Sequence, residues 1–133
     1  MSHDRIFREL AILREGTQVA DLVSTDRDYV VYRSVPTGGA PLSLPTVTDV
    51  IVPVPGGYPG SAIDLAGLPI DSPLLPCVKG GQNNQGVVQA DGRAWRLASY
   101  HPHNNGGGGP WDQMKHGFHT YLDHLLSWLE RLS

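Results

Sequence analysis

The residues best equipped for chemistry crowd into the stretch that begins Gly92-Arg-Ala-Trp-Arg-Leu-Ala-Ser-Tyr-His101 and continues through His103 and Asn104. Ser99 and His101 stand at i and i+2, a spacing that puts both side chains on one face of an extended strand. A histidine so placed is a general base for the serine hydroxyl or for an incoming amine. An acyl group carried on Ser99 would be an oxyester. Asn104 supplies an amide donor of the kind that stabilises a developing oxyanion, where losing one donor typically costs ~3 kcal/mol. The only cysteine, Cys77, lies upstream between Pro76 and Val78-Lys79. A thiolate is nucleophilic near neutral pH, its thioester stays reactive, and the Lys79 ammonium favours the ionised sulfur. Each residue also has a plain structural role. Ser99 and His101 can fix the shape of a loop, Asn104 and Asn105 are common turn formers, and Cys77 after Leu74-Leu75 can be a small apolar residue. The sequence leaves the acyl carrier open between Cys77, Ser99 and neither.

Six histidines also raise the question of a metal. His116, His119 and Asp123 fall at i, i+3 and i+7 of a helical pattern, opposite Phe118, Leu122, Leu125 and Leu129. That stripe lacks the i, i+4 histidine pairing of zinc-binding helices and reads as a solvated polar face. No metal site is expected. No nucleotide-binding loop is present either, and no cofactor is expected.

The elements that must hold these residues follow from periodicity and punctuation. Residues 4–15 read as a helix with Asp4 in its first turn, Gly16 as a stop and Ile6, Phe7, Leu10 and Leu13 on one face. Residues 28–35 and 46–54, rich in β-branched and aromatic types, read as strands, the second limited by Pro53. Residues 62–68 read as a third strand. Residues 69–91 read as a surface loop around Cys77, with a short extended piece at Val87-Val88. Another strand is expected over 93–100, then a glycine-rich loop over 104–110. A final helix starts near Pro110-Trp111-Asp112 and buries Met114, Phe118, Tyr121, Leu122, Leu125, Trp128, Leu129 and Leu132. Gly117 inside it costs ~1 kcal/mol relative to alanine. Trp95, Tyr121 and Trp128 are expected in the core, and Trp111 is placed to close the loop against the last helix. The whole is an α+β fold of two layers in one domain, residues 1–133.

Composition narrows the classes of function. A formal charge of −3, with scattered basic residues, offers no field for nucleic acid. No apolar run approaches the ~20 residues that span a bilayer, and no stretch of signal-peptide type opens the sequence. A single cysteine suits a reducing compartment. The expectation is a cytoplasmic protein with neither nucleic-acid nor membrane partners.

Three places carry a resemblance to a known family. They are Pro55-Gly-Gly-Tyr58-Pro59 after a hydrophobic strand, Gly92-x-x-Trp95-x-x-x-Ser99-x-His101, and Gly109-Pro110-Trp111 leading to Thr120-Tyr-Leu122. In this order they resemble the prokaryotic ubiquitin-conjugating-enzyme-like family E, a divergent branch of the ubiquitin-conjugating superfold, over roughly residues 46–129. The resemblance implies an N-terminal helix, an antiparallel meander, a long active-site loop and a C-terminal helix. It implies acceptance of the C-terminus of a ubiquitin-like protein from an activating enzyme, and its transfer to a target in a bacterial modification pathway that often includes a JAB-type peptidase. It also makes the outward residues of the first helix, among them Arg5, Arg8, Glu9 and Arg14, the recruiting face for the activating enzyme. The chain departs from conventional members in two ways. Trp95 stands where Gly-x-x-Cys would end, and no cysteine follows His101-Pro-His-Asn104. Catalysis by Cys77, Ser99, His101 and Asn104 is one reading. A catalytically inactive binding or scaffold module for a ubiquitin-like protein is the alternative.

Overall fold

A computed structural model describes residues 3–37, 44–77, 86–98 and 111–132. Helix α1 (Asp4–Glu15) is followed by six strands, β1 (Ala20–Ser24), β2 (Asp28–Pro36), β3 (Val47–Pro53), β4 (Ala66–Pro69), β5 (Val87–Ala90) and β6 (Arg93–Ala98), and by helix α2 (Phe118–Leu132). The strands form one antiparallel sheet in the order β1-β2-β3-β4-β6-β5. The first four make a meander. The last two are a hairpin that enters with its second strand against β4. Its turn is Asp91-Gly92, both at positive φ, the backbone that two-residue hairpins require.

β2 explains why the sheet is covered on both sides. Along Tyr29-Val-Val-Tyr32 every side chain is fully buried, and alternate residues go to different faces. Val30 and Tyr32 join the main core under the helices, with Ile6, Leu10, Leu13, Phe118, Tyr121, Leu125 and Leu129. Tyr29 and Val31 join a second cluster with Ile51, Ala90, Trp95 and Leu97. The sheet curls so that its hairpin closes over this second cluster. Arg33 holds the curl shut. Its guanidinium pairs with Asp21 of β1 at 3.0 Å and with both carboxylate oxygens of Asp91 in the hairpin turn. The hydrogen bonds Arg33 donates to Asp91, ahead of the one to Asp21, stabilise its cation further, and the same contact holds the Asp91 carboxyl below the usual carboxylate range.

Several expectations need correction. β1 had no counterpart in the sequence reading. The third strand is shorter and later, Ala66–Pro69 rather than 62–68. The region 69–91 is only partly a loop: Leu74 and Leu75 are buried, and β5 spans Val87–Ala90. Phe7 is 54% exposed and does not share the buried face of α1. The last helix starts at Phe118, not near Pro110-Trp111-Asp112, and Met114 is 87% exposed. Asp112 caps a separate turn instead. Its side chain accepts from Met114 N–H at 2.9 Å, and its carbonyl accepts from His116 N–H at 2.8 Å. The side chain of Leu132 lies outside the described residues.

Candidate functional site

A buried carboxyl group organises the part of the molecule that carries the Tyr58-Pro59 turn. Glu9 sits on α1, yet it is only 4% exposed. Its Oε1 accepts from the Tyr58 hydroxyl at 2.5 Å and from Phe118 N–H at 3.0 Å. Its Oε2 accepts from Arg5 Nε at 2.8 Å. Three donors on one buried carboxyl satisfy it as burial demands. The Phe118 N–H is a first-turn amide of α2, so Glu9 also caps that helix from another element. Arg5 then reaches past Glu9 to the carbonyls of Gln113 at 2.6 Å and His116 at 2.9 Å. Burial, and then the hydrogen bond to Glu9, push the Tyr58 hydroxyl well above its ordinary pKa.

This carboxyl also explains Gly117. A Cβ built there would meet Glu9 Oε2 and lie 2.5 Å from Cδ and 2.8 Å from Oε1. The glycine is therefore not a weakness inside a helix. It is the gap through which Glu9 reaches Phe118. The outward face proposed for α1 is corrected accordingly. Glu9 points inward and Arg5 is spent on Glu9 and on the turn before α2, while Arg8 and Arg14 stay exposed.

The Tyr58–Pro59 bond is cis, and Tyr58 is 3% exposed. Its ring packs against Phe118 at 5.1 Å and Trp111 at 6.1 Å between centroids, with the Arg5 guanidinium 5.6 Å from its own centroid. Trp111 Nε1 donates to the Pro59 carbonyl at 2.9 Å, and its ring lies tilted against His116 at 5.6 Å between centroids. Trp111 thus closes on the Tyr-Pro turn; the glycine-rich loop expected beside it, 104–110, lies outside the described residues. β6 finishes at Ala98 opposite Ala66, the first residue of β4.

Cys77 closes a 3-10 turn, Leu75–Cys77, that follows β4. Its N–H donates to the Leu74 carbonyl at 2.9 Å, and its half-buried side chain packs against the main core. It is a free thiol. Ser99, His101, His103 and Asn104 lie outside the described residues, as does Lys79. His116 lies in the turn before α2, so His116, His119 and Asp123 do not form a stripe on one helix. His119 is half-buried, and its Nδ1 has no hydrogen-bond partner among the described residues. Trp95, Tyr121 and Trp128 are core residues as read from the sequence. Among the described residues, no helix is long and apolar enough to cross a membrane.

Glu9 is the residue that sequence reasoning missed. On a wheel it borders the Ile6-Leu10-Leu13 face, and that position was the available signal. No family model, characterised protein or solved structure matches the chain.

Proposed function

We propose that this chain is a conjugating-enzyme-like protein of the ubiquitin-conjugating superfold. It accepts the C-terminus of a ubiquitin-like protein from an activating enzyme and passes it to a target amine. The observation that carries the reading is the joint at Tyr58–Pro59. The turn follows a meander strand, buries the Tyr58 ring, and is pinned by Trp111 at the head of the C-terminal segment. That is the order of parts the sequence resemblance anticipates. Cys77 is the preferred carrier, since it is a free thiol, not fully buried, at the end of the turn that follows β4. In the transfer, Cys77 Sγ attacks the carbonyl of the activating enzyme's thioester. A new thioester forms and the activating enzyme's thiol leaves with the proton. An amine then attacks, an amide forms, and the Cys77 thiol is released. Ser99 would perform the same two steps through an oxyester, with His101 as base and Asn104 at the oxyanion.

The second reading is an inactive binding or scaffold module for a ubiquitin-like protein. The packing of Cys77 onto the core favours it, because a cysteine that only fills space needs no partner base. Intact-mass spectrometry after incubation with a cognate activating enzyme, its ubiquitin-like protein and ATP separates the readings. A reductant-sensitive adduct lost only in Cys77→Ala supports the thioester. A reductant-resistant adduct lost only in Ser99→Ala transfers the role to Ser99. No adduct, with the activating enzyme shown to be charged, leaves the binding module.

A further inference from the structure

The sheet has two edges, and they are not equivalent. At β5 the outward carbonyl of Gln89 is met by the Thr25 hydroxyl at 3.5 Å. At β1 the register decides which groups face outward. Arg33 N–H donates to the Val19 carbonyl at 2.8 Å, and the pairing continues as Ala20↔Tyr32, Asp21↔Val31 and Leu22↔Val30. Antiparallel pairs alternate, so Asp21 and Val23 spend their backbone groups on β2. Ala20, Leu22 and Ser24 turn theirs away from the sheet, where no strand among the described residues receives them. A groove of about 650 Å³ runs beside this edge, between Leu22 on the strand and Phe7, Leu10, Ala11 and Arg14 on α1.

We propose that a second copy of this chain fills that groove, pairing β1 with β1 and α1 with α1 about a two-fold axis beside Leu22. The strand is self-complementary there. Antiparallel pairing about Leu22 opposes Leu22 to Leu22 and Ala20 to Ser24, and gives every outward group a partner, on the order of six hydrogen bonds. The helix obeys the same axis. Arg14 reaches Asp21 at 3.8 Å, which sets the level of α1 against β1. From Arg14 back to the midpoint of Leu10 and Ala11 is about 5 Å of helix. From Asp21 the same rise is about one and a half residues of strand, which arrives beside Leu22. The axis therefore sets Leu10 opposite the second copy's Ala11, and Phe7 opposite its Arg14. Phe7 is 54% exposed and the Arg14 side chain 66% exposed. A guanidinium from one copy over the ring of the other supplies charge complementarity that neither has alone. The exposed Ala11 between them is small enough for the helices to approach. This dimer is independent of the acyl-transfer reading.

The test uses the full chain with Cys77→Ser, so that introduced thiols are the only ones. Leu22→Cys converts to a reductant-sensitive dimer under mild oxidation, because opposed residues of a hydrogen-bonded pair sit with Cα atoms about 5.5 Å apart, within disulfide reach. Ser24→Cys, more exposed but opposed to Ala20, does not. In sedimentation equilibrium without added cysteines, Ala11→Arg raises the dimer dissociation constant at least about tenfold and leaves the circular dichroism spectrum unchanged. A parent chain that sediments as a monomer at all concentrations overturns the proposal. So does cross-linking at Ser24→Cys equal to that at Leu22→Cys, or a dimer indifferent to Ala11→Arg.

Discussion

Replacing Gly117 with alanine pits two physical arguments of opposite sign against each other. Read as a glycine inside a helix, position 117 should gain about 0.4–1 kcal/mol from alanine, chiefly because the unfolded chain loses freedom. The structure gives the other sign. The new Cβ would enter the Glu9 carboxyl group, within 2.8 Å of Oε1 and closer still to its other atoms. The carboxyl cannot simply step aside, since Tyr58, Phe118 N–H and Arg5 hold it from three directions. Relief requires breaking at least one buried hydrogen bond to a charged group, worth about 1.5–3 kcal/mol. Overpacking strain adds a contribution of about 1–3 kcal/mol. We expect Gly117→Ala to cost about 2–4 kcal/mol net of the glycine term. For a chain of this size that lowers the melting temperature by roughly 6–15 °C. Urea unfolding followed by tryptophan fluorescence measures it directly. The same substitution in a Glu9→Ala background should cost nothing further, because the group it strikes is gone, and that non-additivity identifies the partner. A Gly117→Ala protein as stable as the parent, or more stable, would falsify this account of the joint.

Two further outcomes follow from named contacts. Asp91 has a folded-state pKa below its ordinary value because of the hydrogen bonds from Arg33. Its contribution is therefore full above the unfolded carboxylate value, about pH 4, and is lost as pH falls through the folded value. Asp91→Asn should lower stability at neutral pH and flatten the acid limb of a stability-against-pH curve; an unchanged acid limb would contradict the clamp. Trp111→Phe keeps an aromatic ring, smaller than the indole, but loses the Nε1 donor to Pro59, which should cost about 1 kcal/mol in chemical denaturation. A loss beyond about 3 kcal/mol would mean that packing of the indole on Tyr58 and His116, not the hydrogen bond, holds the turn.

Legibility in the sequence tracked the range of the deciding interaction. The α1 pattern and the strands at β2 and β3 rest on local periodicity, and their positions were readable to within a residue or two. The Asp91-Gly92 hairpin was readable but not read. An Asp-Gly pair between Val87–Ala90 and Arg93–Ala98 is a strong short-range hairpin signal, and it would have joined the two strands and moved the end of the expected loop. The start of α2 was not local information. Pro110-Trp111-Asp112 has the composition of a helix start, but Asp112 is used by its own turn, and the amide that opens α2 is capped by a residue of α1. The one local sign that Glu9 is buried is its place beside the Ile6-Leu10-Leu13 face; its partners Tyr58 and Phe118 are distant in sequence and could not be read from it. At the chemical site the division is similar. Cys77 was identifiable by type alone, whereas its packing on the core depends on how Leu74 and Leu75 fold back under the helices.

The bond from Phe118 N–H to Glu9 spans 109 positions of sequence. During synthesis the first helix leaves the ribosome with Arg5 beside its inward-facing acid but long before the Phe118 amide that completes the carboxyl's hydrogen bonds. Until about nine-tenths of the chain has emerged, docking α1 would bury a carboxyl group without its amide partner, at a cost comparable to a lost hydrogen bond or more. The order of folding is thereby constrained. The meander can assemble as it appears, but the two terminal helices must settle together, which gives the domain a late and long-range closing step. A chain shortened from its C-terminal end to before residue 118 would lose both α2 and the condition under which α1 can pack.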